Sequence, residues 1–283
     1  KMPPSVPYIL ANEGAERFAF YGMSSILVVF MTKNLLGPDG ALKPMAGEKA
    51  TAWFHWFTAG TYFMAIVGAV VSDLWLGKFK TIIWFCLVYC IGLLVLTLNH
   101  TQVGLAISMV LVATGAGVIK PCVSANVGDQ FGASNKHLIE KVYSWFYFSI
   151  NVGAAASMWY CPILLDRYGP RAGFGVPAGF MVVATLAYWL GRRKLVDVPP
   201  AGPKAWAEIF DREQRGALIK ISVIFLLISV FFALYYQSQS VWVLQAEKMN
   251  LHWLGIDWLP AQPQVANSIF ILVMVPLFAY VVY

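Results

Sequence analysis

The chain has 283 residues, 59% of them apolar and only 12% charged, half the charge of a soluble domain, which carries about 25%; a water-soluble enzyme is excluded. Its 11 Trp, 13 Tyr and 19 Phe suit a polytopic membrane protein with aromatic belts at the interfaces. The net charge of +6 comes from basic residues scattered through loops, not from one basic face, which argues against a nucleic-acid partner.

A membrane span needs roughly 20 apolar residues. Apolar runs at about 8–32, 52–72, 80–98, 103–127, 143–165, 174–191, 219–246 and 263–283 predict eight helices, hence an all-α membrane protein. The first run reaches span length with charges inside it, unlike a cleavable signal peptide. The connection from Arg192 to Arg215 is the longest and most charged, and it holds Pro199, Pro200 and Pro203. It divides the chain into a six-helix bundle (1–191), a cytoplasmic linker with room for a lateral helix (192–218) and the start of a second bundle (219–283). The last run is still apolar at Tyr283, so further helices are expected beyond it. Lys and Arg set the topology. Lys1, Lys78, Lys80, Lys136, Lys141, Arg192–Lys194, Lys204, Arg212, Arg215 and Lys220 fall on one side, against Lys33, Lys43, Lys49, Arg167, Arg171 and Lys248 on the other. The richer side, with the N-terminus, is expected in the cytoplasm.

Two cations, Arg17 and Lys120, fall inside spans. In the first helix Glu13, Arg17 and Tyr21 share one stripe at spacings of four, with Glu16 flanking it. A charge at the bilayer centre costs roughly 2.5–3.5 kcal/mol on insertion scales, so these groups must pair or face water. A self-neutralising pair that only locks packing is the plain reading. The second carboxylate points further: one Glu can take up a proton without leaving Arg17 unpaired. Lys120 lies roughly 10 Å into the membrane and Arg17 roughly 15 Å, at 1.5 Å per residue, so the two can share a cavity. Gly115, Gly117 and Pro121 predict a broken, cavity-lining fourth helix. His55 stands seven residues before Tyr62, on the same stripe, among Trp53, Phe54, Trp56 and Phe57; taken alone it reads as part of an interfacial belt. Cys86, Cys90, Cys122 and Cys161 lie in apolar runs without metal-ligand spacing, and neither metal nor cofactor is expected. No HExxH, GxSxG or Walker pattern suggests a membrane-embedded enzyme.

Glu13-Gly-Ala-Glu16-Arg17-Phe18-Ala-Phe20-Tyr21 resembles the ExxERFxYY signature of the proton-coupled oligopeptide transporters, a branch of the major facilitator superfamily. Gly68–Lys80 resembles the superfamily's loop between helices two and three. Lys120–Phe131 is similar to the family's fourth-helix segment, and Phe146-Tyr147-Phe-Ser-Ile150-Asn151-Val-Gly153 matches its FYxxINxG pattern. The resemblance implies two six-helix bundles around a central cavity, of which this chain supplies the first plus helices seven and eight. It implies a bacterial member, monomeric, in the inner (plasma) membrane, that symports di- and tripeptides with protons. Arg17 and Lys120 would then face the peptide carboxylate; Tyr21 and Tyr62 would hydrogen-bond its backbone, and Asn151 its main chain or amino end. Glu13 and Glu16 would carry the coupling proton, with His55 as an outer acceptor suited by its ordinary titration near neutrality. Asp73 and Gly77 would be gating elements, Asp73 capping a helix or meeting a cation and Gly77 permitting a tight turn.

Phe231–Gln245 is similar to the family's helix seven and brings Tyr235, Tyr236 and Gln237 to the cavity, but Tyr236 stands where an acidic residue is usual. A His55–Tyr236 hydrogen bond is therefore expected in place of a His–carboxylate one. Phe20 also replaces the first Tyr of the signature. Uptake of nitrate or another small anion is the alternative, because Arg17 and Lys120 suit that as well.

Overall fold

The computed structural model describes residues 1–202, 212–253 and 255–281. Helix α1 (Val6–Lys33) starts with proline in its first turn, where the missing N–H and fixed φ are harmless. Helix α2 (Gly47–Val71) runs into a π-helical turn, Ser72–Leu76, that ends on Gly77 at φ 75°. That left-handed φ suits glycine and lets α3 (Lys78–Leu98) reverse direction at once. The hydroxyl of Thr101 accepts from the Gly104 N–H and caps α4 (Gln102–Asp129). Helix α5 (Ile139–Tyr168) and α6 (Pro170–Leu190) meet at Gly169. Then come α7 (Arg212–Tyr235), a 3-10 turn Tyr236–Gln239, the short α8 (Val241–Ala246), a hairpin pairing β1 (His252–Trp253) with β2 (Ile256–Asp257), and α9 (Val265–Val281).

The eight predicted spans all appear as helices, with two corrections. The fourth helix is unbroken through Pro121. Its glycines serve contact instead: a Cβ at Gly117 would lie 2.3 Å from the Thr61 carbonyl oxygen, and one at Gly115 2.6 Å from Tyr89 Cβ. Small residues let α4 press against α2 and α3, as helices do in a membrane, where packing replaces the hydrophobic drive. The seventh helix, expected as one run over 219–246, breaks after Tyr235, and Ser240 leaves helical geometry at φ −130°, ψ −86°. The lateral helix expected in the linker falls partly on residues 203–211, outside the described residues.

Helix α1 is the spine, packed between α5 and α6, while α4 packs on α2 and α3, and α9 on α5. Ile26, Leu27, Val28, Phe30 and Met31 are all buried, which accounts for a helix without a polar outer face. Among the described residues six helices are long and apolar enough to cross a membrane; α1 is long enough but carries Glu13, Glu16 and Arg17. Trp84, Leu87, Ile91, Leu94 and Leu98 of α3 form an exposed stripe at helical spacing, the surface expected where lipid replaces water as solvent. No residue from Arg215 to Leu234 of α7 is buried. Among the described residues, the linker after α6 meets the first six helices at Asp73 and Gln130, and α7 and α8 meet α1 and α2 from Phe232 onward, at the end of the bundle that carries Lys33.

Candidate functional site

The site begins on α1, where i, i+4 spacing stacks Glu13 against Arg17. Arg17 Nε lies 2.9 Å from Glu13 Oε1 and 2.6 Å from Glu16 Oε2, all three side chains at most 6% exposed. Two carboxylates thus crowd one nitrogen. Neither Glu16 oxygen nor Arg17 Nε has an aligned hydrogen bond, so the contact is one of charge more than of directed bonding. Among the described residues none is hydrogen-bonded to the two terminal nitrogens of Arg17, and its Cζ sits 5.9 Å from the Phe20 ring. The part of the guanidinium fork suited to a bidentate carboxylate is left for another partner.

Lys120 reaches the same space from α4. Its Nζ lies 4.8 Å from the centre of the Tyr62 ring, and Arg17, Glu16 and Glu13 all act on its charge. Among the described residues it has no carboxylate within ion-pair distance. Tyr21 lies within electrostatic reach of Arg17, Tyr62 and Tyr235, so the predicted cations and phenols of α1, α2, α4 and α7 converge. Asn151 is buried nearby on α5, its Nδ2 donating to the Tyr147 carbonyl at 2.9 Å. Among the described residues no donor is bonded to its side-chain oxygen. Gly153 lets α5 close on α1, since a Cβ there would lie 2.3 Å from the Gly14 oxygen.

The expected His55–Tyr236 bond is not formed. The Tyr236 hydroxyl lies 2.7 Å from the Tyr62 hydroxyl, and His55 Nε2 instead meets the Ser240 hydroxyl at 3.1 Å. The break in the seventh helix explains the exchange: Ser240, whose hydroxyl also donates to the Tyr236 carbonyl, sits one turn beyond Tyr236, just as His55 lies further along the stripe that holds Tyr62. A third contact, Lys33 Nζ to Glu247 Oε1 at 3.0 Å, lies further toward the same end. Gln237 donates to the Ala233 carbonyl at 3.5 Å, and the Tyr235 ring stacks on Phe231.

Tyr235 also lines a cavity of about 410 Å³ between α5, the broken helix and α9, together with Met158, Gln239, Gln264 and Asn267. The Gln239 Oε1 and both amide atoms of Gln264 are buried without a partner. No motif or regular spacing in the sequence marks these amides. Gln239 comes just after a tyrosine pair inside an apolar run, and Gln264 and Asn267 stand where the last run starts, so polar residues at the edge of spans are the available signal.

Asp73 and Gly77 lie at the opposite end of the bundle. The Asp73 carboxylate accepts from Ser72 Oγ at 2.9 Å, and its carbonyl accepts from the Ala201 N–H at 2.8 Å. The neighbouring cation, Lys78, pairs with Asp129 at 2.6 Å rather than with Asp73. The linker after α6 is further held by Gln130, which exchanges bonds with the Val196 backbone and accepts from Ser5 Oγ. No cluster able to hold a metal occurs among the described residues.

Membrane-spanning helices packed around a buried carboxylate–guanidinium–carboxylate group, faced by a second cation, make up a fold of the major facilitator type. The chain belongs to the POT family, whose sequence profile (PTR2) matches residues 79–212 and 203–283. It is 34% identical over 328 residues to "Peptide transporter family 1" of Drosophila melanogaster, covering 99% of this chain and 43% of that protein. It is also 34% identical over 341 residues to "Solute carrier family 15 member 1" of Mus musculus, covering 99% of this chain and 47% of the relative. The chain thus spans less than half the length of these curated relatives. The crystal structure of the POT family transporter PepTSo, solved in meso, superposes with a TM-score of 0.86 at 29% identity, over 100% of this chain and 70% of that one. The fold is therefore that of the POT transporters: a six-helix bundle followed by helices seven and eight. The first-helix residues lie outside the profile match but inside both pairwise alignments.

Proposed function

We propose that the protein symports di- and tripeptides with protons into the cytoplasm by alternating access. The observation that carries this reading is the sharing of Arg17 by two buried carboxylates. When both are ionised they hold the guanidinium; when one is protonated, the terminal nitrogens of Arg17, with Lys120, present two cations to a peptide carboxylate. Tyr21, Tyr62 and Asn151 contact the peptide backbone, and Tyr235, Gln237 and the unpaired amides of Gln239 and Gln264 border the side-chain space. Peptides vary in side chain, so recognition concentrates on termini and backbone. His55 serves as the outer proton acceptor, and Asp73 and Gly77 act in the inner gate. Inward release of the proton lets the carboxylates recapture Arg17 and expel the peptide. The inward proton also draws on the membrane potential, about 2.3 kcal/mol per charge per 100 mV.

The richer set of Lys and Arg supports a cytoplasmic N-terminus and linker, and we read the chain as a multi-pass monomer of the plasma membrane. Residues 1–191, 192–218 and 219–283 form the first bundle, the linker and the start of the second bundle. Glu16→Gln in proteoliposomes is expected to abolish gradient-driven dipeptide uptake while leaving dipeptide exchange measurable. Driven uptake that survives intact removes Glu16 from coupling, and nitrate uptake without any dipeptide uptake replaces peptide by anion as substrate.

A further inference from the structure

Helix α7 is exposed from Arg215 to Leu234, and its described contacts with α2 lie toward its end, at Phe232 and beyond. Among these contacts is the hydroxyl pair Tyr62–Tyr236, at 2.7 Å. A phenol has one proton to donate and two lone pairs to accept with, so this contact has two proton arrangements. If Tyr62 donates to Tyr236, Tyr62 offers the cavity only lone pairs. If Tyr236 donates to Tyr62, the Tyr62 O–H is free to point into the space where Lys120 Nζ already lies 4.8 Å from its ring. A carboxylate or carbonyl oxygen drawn in by Lys120 and Arg17 selects the second arrangement. The result is a chain of two bonds in one direction, Tyr236 O–H to Tyr62 O–H to substrate oxygen, in which each bond polarises the next.

We propose that Tyr236 is a positioning residue that ties closure of the α2–α7 contact to an acceptor oxygen on the substrate: occupancy strengthens the Tyr62–Tyr236 bond, and that bond orients the Tyr62 proton toward the occupant. The device needs no charge on Tyr236. It rests on the reading of Tyr62 as a substrate contact. The rings are held independently of the hydroxyls, Phe232 stacking on Tyr236 at 6.1 Å and lying 5.9 Å from Tyr62, so the hydroxyl can be removed without emptying the contact.

The test uses the full chain in liposomes, with spin labels at the exposed positions Lys49 and Lys248 reporting separation of α2 from the end of the broken helix. In the unsubstituted protein, dialanine is expected to shift the label distances toward the short population. Tyr236→Phe is expected to lose that shift and to raise the half-saturating dialanine concentration about fivefold, the size of one neutral hydrogen bond. Tyr62→Phe should produce the same loss, and the double variant no more than either alone. Unchanged affinity and unchanged closure in Tyr236→Phe would overturn the proposal, as would additive losses in the double variant. Closure driven by nitrate and not by dialanine would overturn the peptide reading while supporting the hydroxyl chain.

Discussion

Arg17 holds its position because α1 supplies both of its carboxylates, and that is why the charged cluster can be read from spacing alone. Glu13 and Arg17 are one helical turn apart, and Glu16 is adjacent; no distant element is needed to bring them together. Partners that depend on distant elements are less legible. His55 and Tyr236 stand at similar depths along ideal helices, yet the 3-10 turn at Tyr236–Gln239 rotates the residues beyond it and delivers Ser240 to His55. His100, between α3 and α4, illustrates the same limit. Its backbone oxygen accepts from Leu36, its ring lies edge-on to Phe30 at 5.9 Å, and its Nε2 is buried without a partner. Desolvation, reinforced by the Arg171 cation, lowers its pKa below the ordinary histidine range. A base whose folded pKa is lowered binds fewer protons in the folded state, so stability is complete above the unfolded value of about 6.5 and falls as pH drops through the window beneath it. Thermal unfolding in detergent is therefore expected to begin earlier at pH 5 than at pH 7.5. His100→Asn should flatten that dependence, and an unchanged slope would assign it to other groups.

At the scale of helices, apolar runs locate the spans because a lipid-facing helix must be apolar over its whole membrane length, whatever its neighbours. They do not predict continuity. Proline and glycine in α4 look like a break in one dimension, but in three dimensions the glycines are where α2 and α3 lie against it. Tyr235 to Ser240, which contains neither residue, is where the seventh helix breaks. The packing role of Gly117 has a measurable consequence. A Cβ there would meet the Thr61 backbone at 2.3 Å and Met64 at 2.7 Å, and backbone cannot move aside as a flexible side chain does. Gly117→Ala is expected to cost about 1–3 kcal/mol through overpacking and to lower the melting midpoint in detergent. Gly179, with nothing within 4 Å of its virtual Cβ, is the matched control. Gly179→Ala should stabilise α6 by up to about 1 kcal/mol through helix propensity. Equal effects at the two positions would mean that the α2–α4 crossing has room to relax.

At the scale of the whole molecule, among the described residues, the side-chain contacts that α7 and α8 make with α1 and α2 gather at the Lys33 end, while the linker meets the first six helices at the opposite end, at Asp73 and Gln130. These contacts close the Lys33 end over α1 and α2. Three side-chain contacts, Tyr62–Tyr236, His55–Ser240 and Lys33–Glu247, step outward along that closed end, and each joins the two parts. None of the three pairings can be read from sequence order, because each depends on how α7 and α8 swing back over α1 and α2. The outermost is an ion pair with Lys33 54% exposed and Glu247 21%, so solvent screens it and its contribution is about 0–1 kcal/mol. A contribution of that size tilts an equilibrium between open and closed ends without deciding it. Lys33→Ala should therefore raise the open-to-closed ratio by at most about fivefold, seen as growth of the long-distance population between spin labels at Lys49 and Lys248. Raising the salt from about 0.05 to about 0.5 M shortens the screening length and should move the unsubstituted protein the same way while leaving Lys33→Ala unmoved. Salt dependence of equal size in both proteins would place the charge that holds this end shut somewhere other than the Lys33–Glu247 pair.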